Sequence, residues 1–136
     1  MAVVAYNDKL RDLLKNVECV LAFDTAADFL GLTNGGYRSV AQIFVNREQN
    51  IEGTEQTLVP SLTALECEER GGLLCTTVKR TIIDLLEQNG DEQIITESLA
   101  NYYEDHNESF DGLEIPEHLK ERFEKYKAWA MEYYEE

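Results

Sequence analysis

Apolar residues along this chain switch between two spacings, and the switches divide it into helices, then strands, then helices again. Asn7 is placed to cap a first helix whose buried stripe is Leu10, Leu13, Leu14 and Val17. Residues 19–23 form a short apolar link. Asp24 then reads as a second N-cap, opening a helix through Ala26, Ala27, Phe29 and Leu30 that Gly31 stops. Thr33-Asn34-Gly35-Gly36 is a strong turn signal. Four short strands are expected next, at residues 40–46, 57–60, 62–67 and 73–76, with a polar loop over 47–56 and a turn over 68–72.

Helical spacing returns after Thr77. Ile82, Ile83, Leu85 and Leu86 lie on the inner side of one helix, and Asn89-Gly90 breaks it. Ile94, Ile95, Leu99 and Tyr102 mark the next, and residues 103–115 read as an acidic loop. Pro116 fits the first turn of a last helix with Leu119, Phe123, Tyr126, Ala130 and Tyr133 on one stripe. This order predicts one α+β domain over residues 1–136, with a small mixed or antiparallel sheet of about four strands flanked by N-terminal and C-terminal helices.

Charge changes the picture more than composition does. The chain holds 27 acidic and 12 basic residues, a formal net charge of −15. Residues 1–47 are balanced with 5 of each sign, residues 48–90 carry 8 acidic against 3 basic, and residues 91–136 carry 14 against 4. A field of this sign repels phosphate backbones and anionic lipid, so direct nucleic-acid and membrane binding are not expected. A protein partner with a basic surface is. Tyr102-Tyr103 and Tyr133-Tyr134 end two helices inside the acidic third, and tyrosine is enriched at interfaces. Tyr103 and Tyr134, with the carboxylates Glu104, Asp105, Glu108 and Asp111, are the candidate contact residues.

Chemistry-bearing patterns are weak. Asp105 to Glu114 superficially suggests a calcium loop, but counting from Asp105 puts Phe110 where the turn glycine belongs, and counting from Asn107 puts His118 where a bidentate glutamate is required. His106 and His118 belong to no zinc-type spacing. Cys19, Cys67 and Cys75 form no CxxC pair, and no GxSxG elbow or phosphate-loop pattern occurs. No cofactor, metal or catalytic set is expected, so the reading is a binding protein. With no signal-peptide pattern and no long apolar run, the expected location is the cytoplasm.

Two segments together resemble the C-terminal domain of the AbiEi-type (abortive-infection) antitoxins of bacterial toxin–antitoxin systems. One is residues 21–32, Leu-Ala-Phe-Asp-Thr-Ala-Ala-Asp-Phe-Leu-Gly-Leu. It is similar to that family's helix of small residues with a leucine-glycine-leucine stop. The other is residues 75–86, Cys-Thr-Thr-Val-Lys-Arg-Thr-Ile-Ile-Asp-Leu-Leu, in which a threonine precedes an Arg-Thr-hydrophobic-hydrophobic-Asp-Leu helix. The likeness covers about residues 20–103 and leaves 104–136 as an acidic loop and last helix. Thr76, Arg80, Thr81 and Asp84 carry the motif. Arg80 and Asp84 are spaced to meet on one helix face, and Thr76 or Thr77 to cap it, so these jobs are architectural.

The resemblance implies the neutralising half of an antitoxin, with a nucleotidyltransferase-type toxin as its counterpart. The roughly 20 residues ahead of the shared region are too few for the family's DNA-binding winged helix, so operator repression is not expected. The charge alone suggests a second route: a phage or mobile-element protein that imitates nucleic acid, such as an anti-CRISPR inhibitor of a Cas nuclease.

Overall fold

The computed structural model describes the backbone of residues 2–33 and 40–135 and the side chains of residues 8–33 and 40–132. Its elements run α1 (Ala2–Leu13), β1 (Val20–Leu21), α2 (Phe23–Phe29), β2 (Ala41–Val45), β3 (Thr54–Leu58), β4 (Cys67–Arg70), β5 (Leu73–Thr76), α3 (Val78–Gln88), α4 (Glu92–Asp105), a 3-10 turn (Glu117–Leu119) and α5 (Lys120–Glu135). The α+β class stands, with five strands where four were expected. The sheet order is β3-β2-β1-β5-β4, mixing parallel pairs (β1–β5, β2–β3) with antiparallel ones (β1–β2, β4–β5).

The additional strand is β1, inside what reads in sequence as an apolar link. It spans only two residues, yet it holds the centre of the sheet because Val20 and Leu21 are both fully buried. Side chains of that size contribute roughly 1.5–3 kcal/mol each when withdrawn from water. Pleating sends the two to opposite faces. Leu21, Ile43, Val45 and Cys75 pack against Leu10 of α1, Leu14 just beyond its end and Ala26 of α2. Val20, Ala22 and Phe44 face the other way and are covered by Val59, Leu62 and Leu65.

Residues 62–66 are therefore not a strand but an irregular cover over that second face, closed by a turn from Leu65 N–H to Leu62 O. The turn expected at 68–72 shrinks to Gly71-Gly72, which join β4 to β5 at φ of 58° and 87°. β3 begins at Thr54, inside the expected polar loop, because an edge strand leaves its polar side chains in water. α1 starts at Ala2, upstream of Asn7, so Asn7 is not its cap. The turn signal at Asn34, Gly35 and Gly36 lies outside the described residues.

Asp24 is also not the cap of α2. Ala22 is the N-cap residue and offers no side-chain bond. The acceptor comes from a strand instead: Gln42 Oε1 takes the Asp24 N–H at 2.9 Å, and the Gln42 N–H donates to Thr25 Oγ1 at 2.9 Å.

The helices build a second, larger core. Ile82, Leu85 and Leu86 of α3 meet Ile94, Ile95 and Leu99 of α4 and Phe123, Tyr126 and Ala130 of α5. Alanines join the two layers: Ala26 belongs to the sheet side and its neighbour Ala27 to the helical side. Local capping fixes the helix ends, with the Thr77 hydroxyl accepting from Arg80 N–H at 3.2 Å and Asp91 from Gln93 N–H at 2.9 Å. Asn89 ends α3 in the left-handed region at φ 52°. Among the described residues no helix is long and apolar enough to cross a membrane.

Candidate interaction surface

Helix α4 runs past the point where the acidic loop was expected to begin, so Tyr103, Glu104 and Asp105 stand on its last turn. Tyr102, one residue before, is buried and anchors the loop beyond the helix. Its hydroxyl donates to the Asp111 carbonyl at 3.1 Å, and its own carbonyl meets His106 Nδ1 at 2.8 Å. The His106 ring stacks on the Tyr102 ring at 3.8 Å between centroids. Phe110 then plugs the loop back into the helices, 4.9 Å from the Tyr103 ring and edge-on to Phe123 at 5.6 Å.

The backbone of this loop takes an unusual course. Asn107, Glu108, Gly112 and Glu114 have φ of 56°, 57°, 96° and 51°. Glycine and asparagine enter that region readily; a glutamate does so at a cost of roughly 1–2 kcal/mol. Two anchors hold the glutamates there. Glu108 N–H donates to the Tyr103 carbonyl at 2.8 Å, and the Glu114 carboxylate pairs with Lys79 Nζ at 2.6 Å. That bond draws the Glu114 carboxyl below its usual range and raises the Lys79 ammonium.

The result is a fixed, exposed acidic edge. Glu104, Asp105, Glu108 and Asp111 are all exposed, and among the described residues none of the four takes part in an ion pair. The surrounding sequence supplies no relief: from Thr81 to Leu119 there are 11 acidic residues and no lysine or arginine. Tyr103 is half-buried against Phe110, so it borders this edge with only part of its ring in solvent. Tyr134 lies outside the residues whose side chains are described.

The four motif residues sit elsewhere and face inward. Thr76 and Thr81 are buried and share a hydroxyl–hydroxyl bond of 2.6 Å. Arg80 Nε donates to Asp84 Oδ1 at 2.8 Å, with its guanidinium 5.9 Å from the Phe44 ring centre. Burial raises the Asp84 pKa even against the hydrogen bond from Arg80, and among the described residues Oδ2 has no hydrogen-bond partner. The Thr76–Thr81 bond ties β5 to α3, the Arg80–Asp84 pair lies within α3, and neither belongs to the acidic edge.

Burial pushes the Cys19 thiol up to about 11 and that of Cys75 up to about 12, far from the thiolate a nucleophile needs. Among the described residues no group of three or more His, Cys, Asp or Glu side chains is placed to hold a metal ion.

Sequence reasoning passed over Trp129, which is 39% exposed on α5 with Lys125 Nζ 5.1 Å from its ring. Its position off the apolar stripe of that helix was the available signal. Lys79 and Glu114 were also missed, because 35 positions separate them along the chain. No protein-family model, curated protein or solved structure matches the chain.

Proposed function

We infer that this protein is a non-enzymatic binding protein whose acidic edge covers a basic surface on a protein partner, as the neutralising component against a nucleotidyltransferase-type toxin. The observation that carries the binding role is the set of exposed carboxylates Glu104 and Asp105 on the last turn of α4 and Glu108 and Asp111 on the loop anchored by Tyr102, none of them in an ion pair among the described residues. Four exposed negative charges within eight residues of chain repel one another, and a cationic partner relieves that repulsion. A cleft that holds nucleotide and RNA must itself be cationic, which suits the toxin class implied by residues 21–32 and 75–86.

The experiment is co-expression with candidate toxins of that class. The expected result is restored growth with at least one toxin, lost when the four carboxylates are replaced together by Gln and Asn. No rescue by the unaltered chain with any of them overturns the antitoxin role. Rescue that survives the fourfold replacement moves the contact away from this edge.

A second reading, imitation of nucleic acid at a nuclease channel, is favoured by the long run from Thr81 to Leu119 without a lysine or arginine. Under it, duplex DNA displaces the protein from the enzyme and binding weakens steeply with salt. Binding that ignores both removes this alternative.

A further inference from the structure

The outer edge of β3 is open, and its hydrogen-bonding phase is fixed at both ends. Ala41 N–H donates to Gly53 O at one end of the β2–β3 ladder and Val59 N–H donates to Val45 O at the other. In a parallel pair the bonding residue alternates along each strand. Gly53, Glu55, Thr57 and Val59 therefore turn their main chain toward β2, while Thr54, Gln56 and Leu58 turn theirs away. Among the described residues nothing meets those three N–H and three C=O groups.

Natural edges are usually blunted by lysine, proline, a bulge or a covering segment. β3 carries none of the first three, and none of its five residues is buried. β4, the opposite edge, differs: it is a short hairpin arm bearing the Arg70–Glu68 pair at 2.9 Å. Leu58 is 62% exposed, more than any other large apolar residue described. It shares one sheet face with Thr54 and Gln56, while Glu55 points to the other.

Charge selects the occupant. From Glu48 to Leu58 there are three glutamates and no lysine or arginine. The Gln56 amide group bonds both N–H and C=O of Gln49, at 3.0 and 2.8 Å, which brings Glu48 alongside the strand. Among the described residues Glu48, Glu52 and Glu55 form no ion pair. A second copy of this chain would set these glutamates against their own counterparts. We propose that β3 is a docking edge that accepts an extended, alternately apolar and basic segment of a partner protein as a sixth strand, with its apolar side chains on Leu58 and its basic ones on Glu55. This surface is independent of the acidic loop.

The test uses a short peptide of alternating valine and lysine, with amide hydrogen exchange and chemical shifts read on the full chain. In the chain alone the amides of Thr54, Gln56 and Leu58 exchange freely while those of Glu55 and Thr57 are protected. Peptide slows the first three on the order of tenfold or more. Two control peptides, N-methylated at one or the other alternate set of residues, keep all charge; one set abolishes the effect and the other leaves it. Leu58→Pro removes an outward N–H at a position where an edge strand tolerates proline. It abolishes the protection while leaving the amides that bond β2 protected as before, and Thr54→Pro gives the same result at the other end. Four outcomes overturn the proposal: no protection at 54, 56 and 58 with peptide; shifts confined to residues 104–111; equal binding of both N-methylated peptides; or concentration-dependent protection without peptide, which assigns the edge to a second copy.

Discussion

Replacing Glu108 separates two contributions that the acidic loop combines. Its φ of 57° places an L side chain in the left-handed region, and its carboxylate stands unpaired among Glu104, Asp105 and Asp111. Glu108→Gln removes the charge and keeps a residue that resists this conformation. Glu108→Asn removes the same charge and supplies one that adopts it readily. The difference between the two variants is the backbone contribution alone, about 1 kcal/mol. For a chain of this length that corresponds to roughly 3–5 °C in Tm. Urea unfolding at low salt and at about 1 M salt, where screening reaches about 3 Å, separates the parts. The gain common to both variants shrinks in salt; the gap between Asn and Gln does not. Equal stability of the two variants, or a gap that closes in salt, refutes the idea that Glu108 is held against its preference. If the held shape serves docking, both variants bind more weakly for want of the charge, and Glu108→Asn, which keeps the shape, binds better than Glu108→Gln.

Gln42→Ala removes the acceptor for the first turn of α2 and lowers stability by about 1 kcal/mol in thermal or urea unfolding, although Gln42 lies on a strand. Asp84→Ala leaves the mostly buried Arg80 without its partner and destabilises by about 1–3 kcal/mol. In Asp84→Asn the informative readout is pH. Burial lifts the folded Asp84 pKa above its ordinary 3.8, so between those values the folded chain keeps a proton that the unfolded chain has released. The stability contribution of this group is therefore largest in acid and declines as pH rises through that window, a step absent from the Asn variant. For Lys79→Gln, amide exchange quickens around residues 112–115. The lowered Glu114 pKa gives the opposite pH sign, its contribution being present above the ordinary carboxyl value and lost as pH falls through the lowered one.

Legibility in the sequence tracks how local the cause is. Thr77 and Asn89 act on backbone within a few residues of themselves, and α3 begins and ends where those residues require. The stripe of Phe123, Tyr126 and Ala130 is likewise a property of one helix, and all three are buried, as is Leu119 in the turn before it; Tyr133 lies outside the residues whose side chains are described. The errors sit where the deciding partner is distant. Val20-Leu21 is too short to show a period, and only Phe44, Ile43 and Cys75 make it a strand. Gln42 caps a helix from another element, which no window around Asp24 can reveal. At the acidic loop the composition was readable, whereas the anchoring of Glu114 by Lys79 and the course of the backbone through Asn107 and Glu108 were not.

The pairing of Leu21 with Cys75 has a consequence for biosynthesis. β1 needs neighbours on both sides, and they arrive at different times. β2 is translated soon after it, while β5 emerges only once the intervening residues have left the ribosome. Until then Val20 and Leu21, later fully buried at the centre of the sheet, form a bare apolar border on a half-built nascent chain.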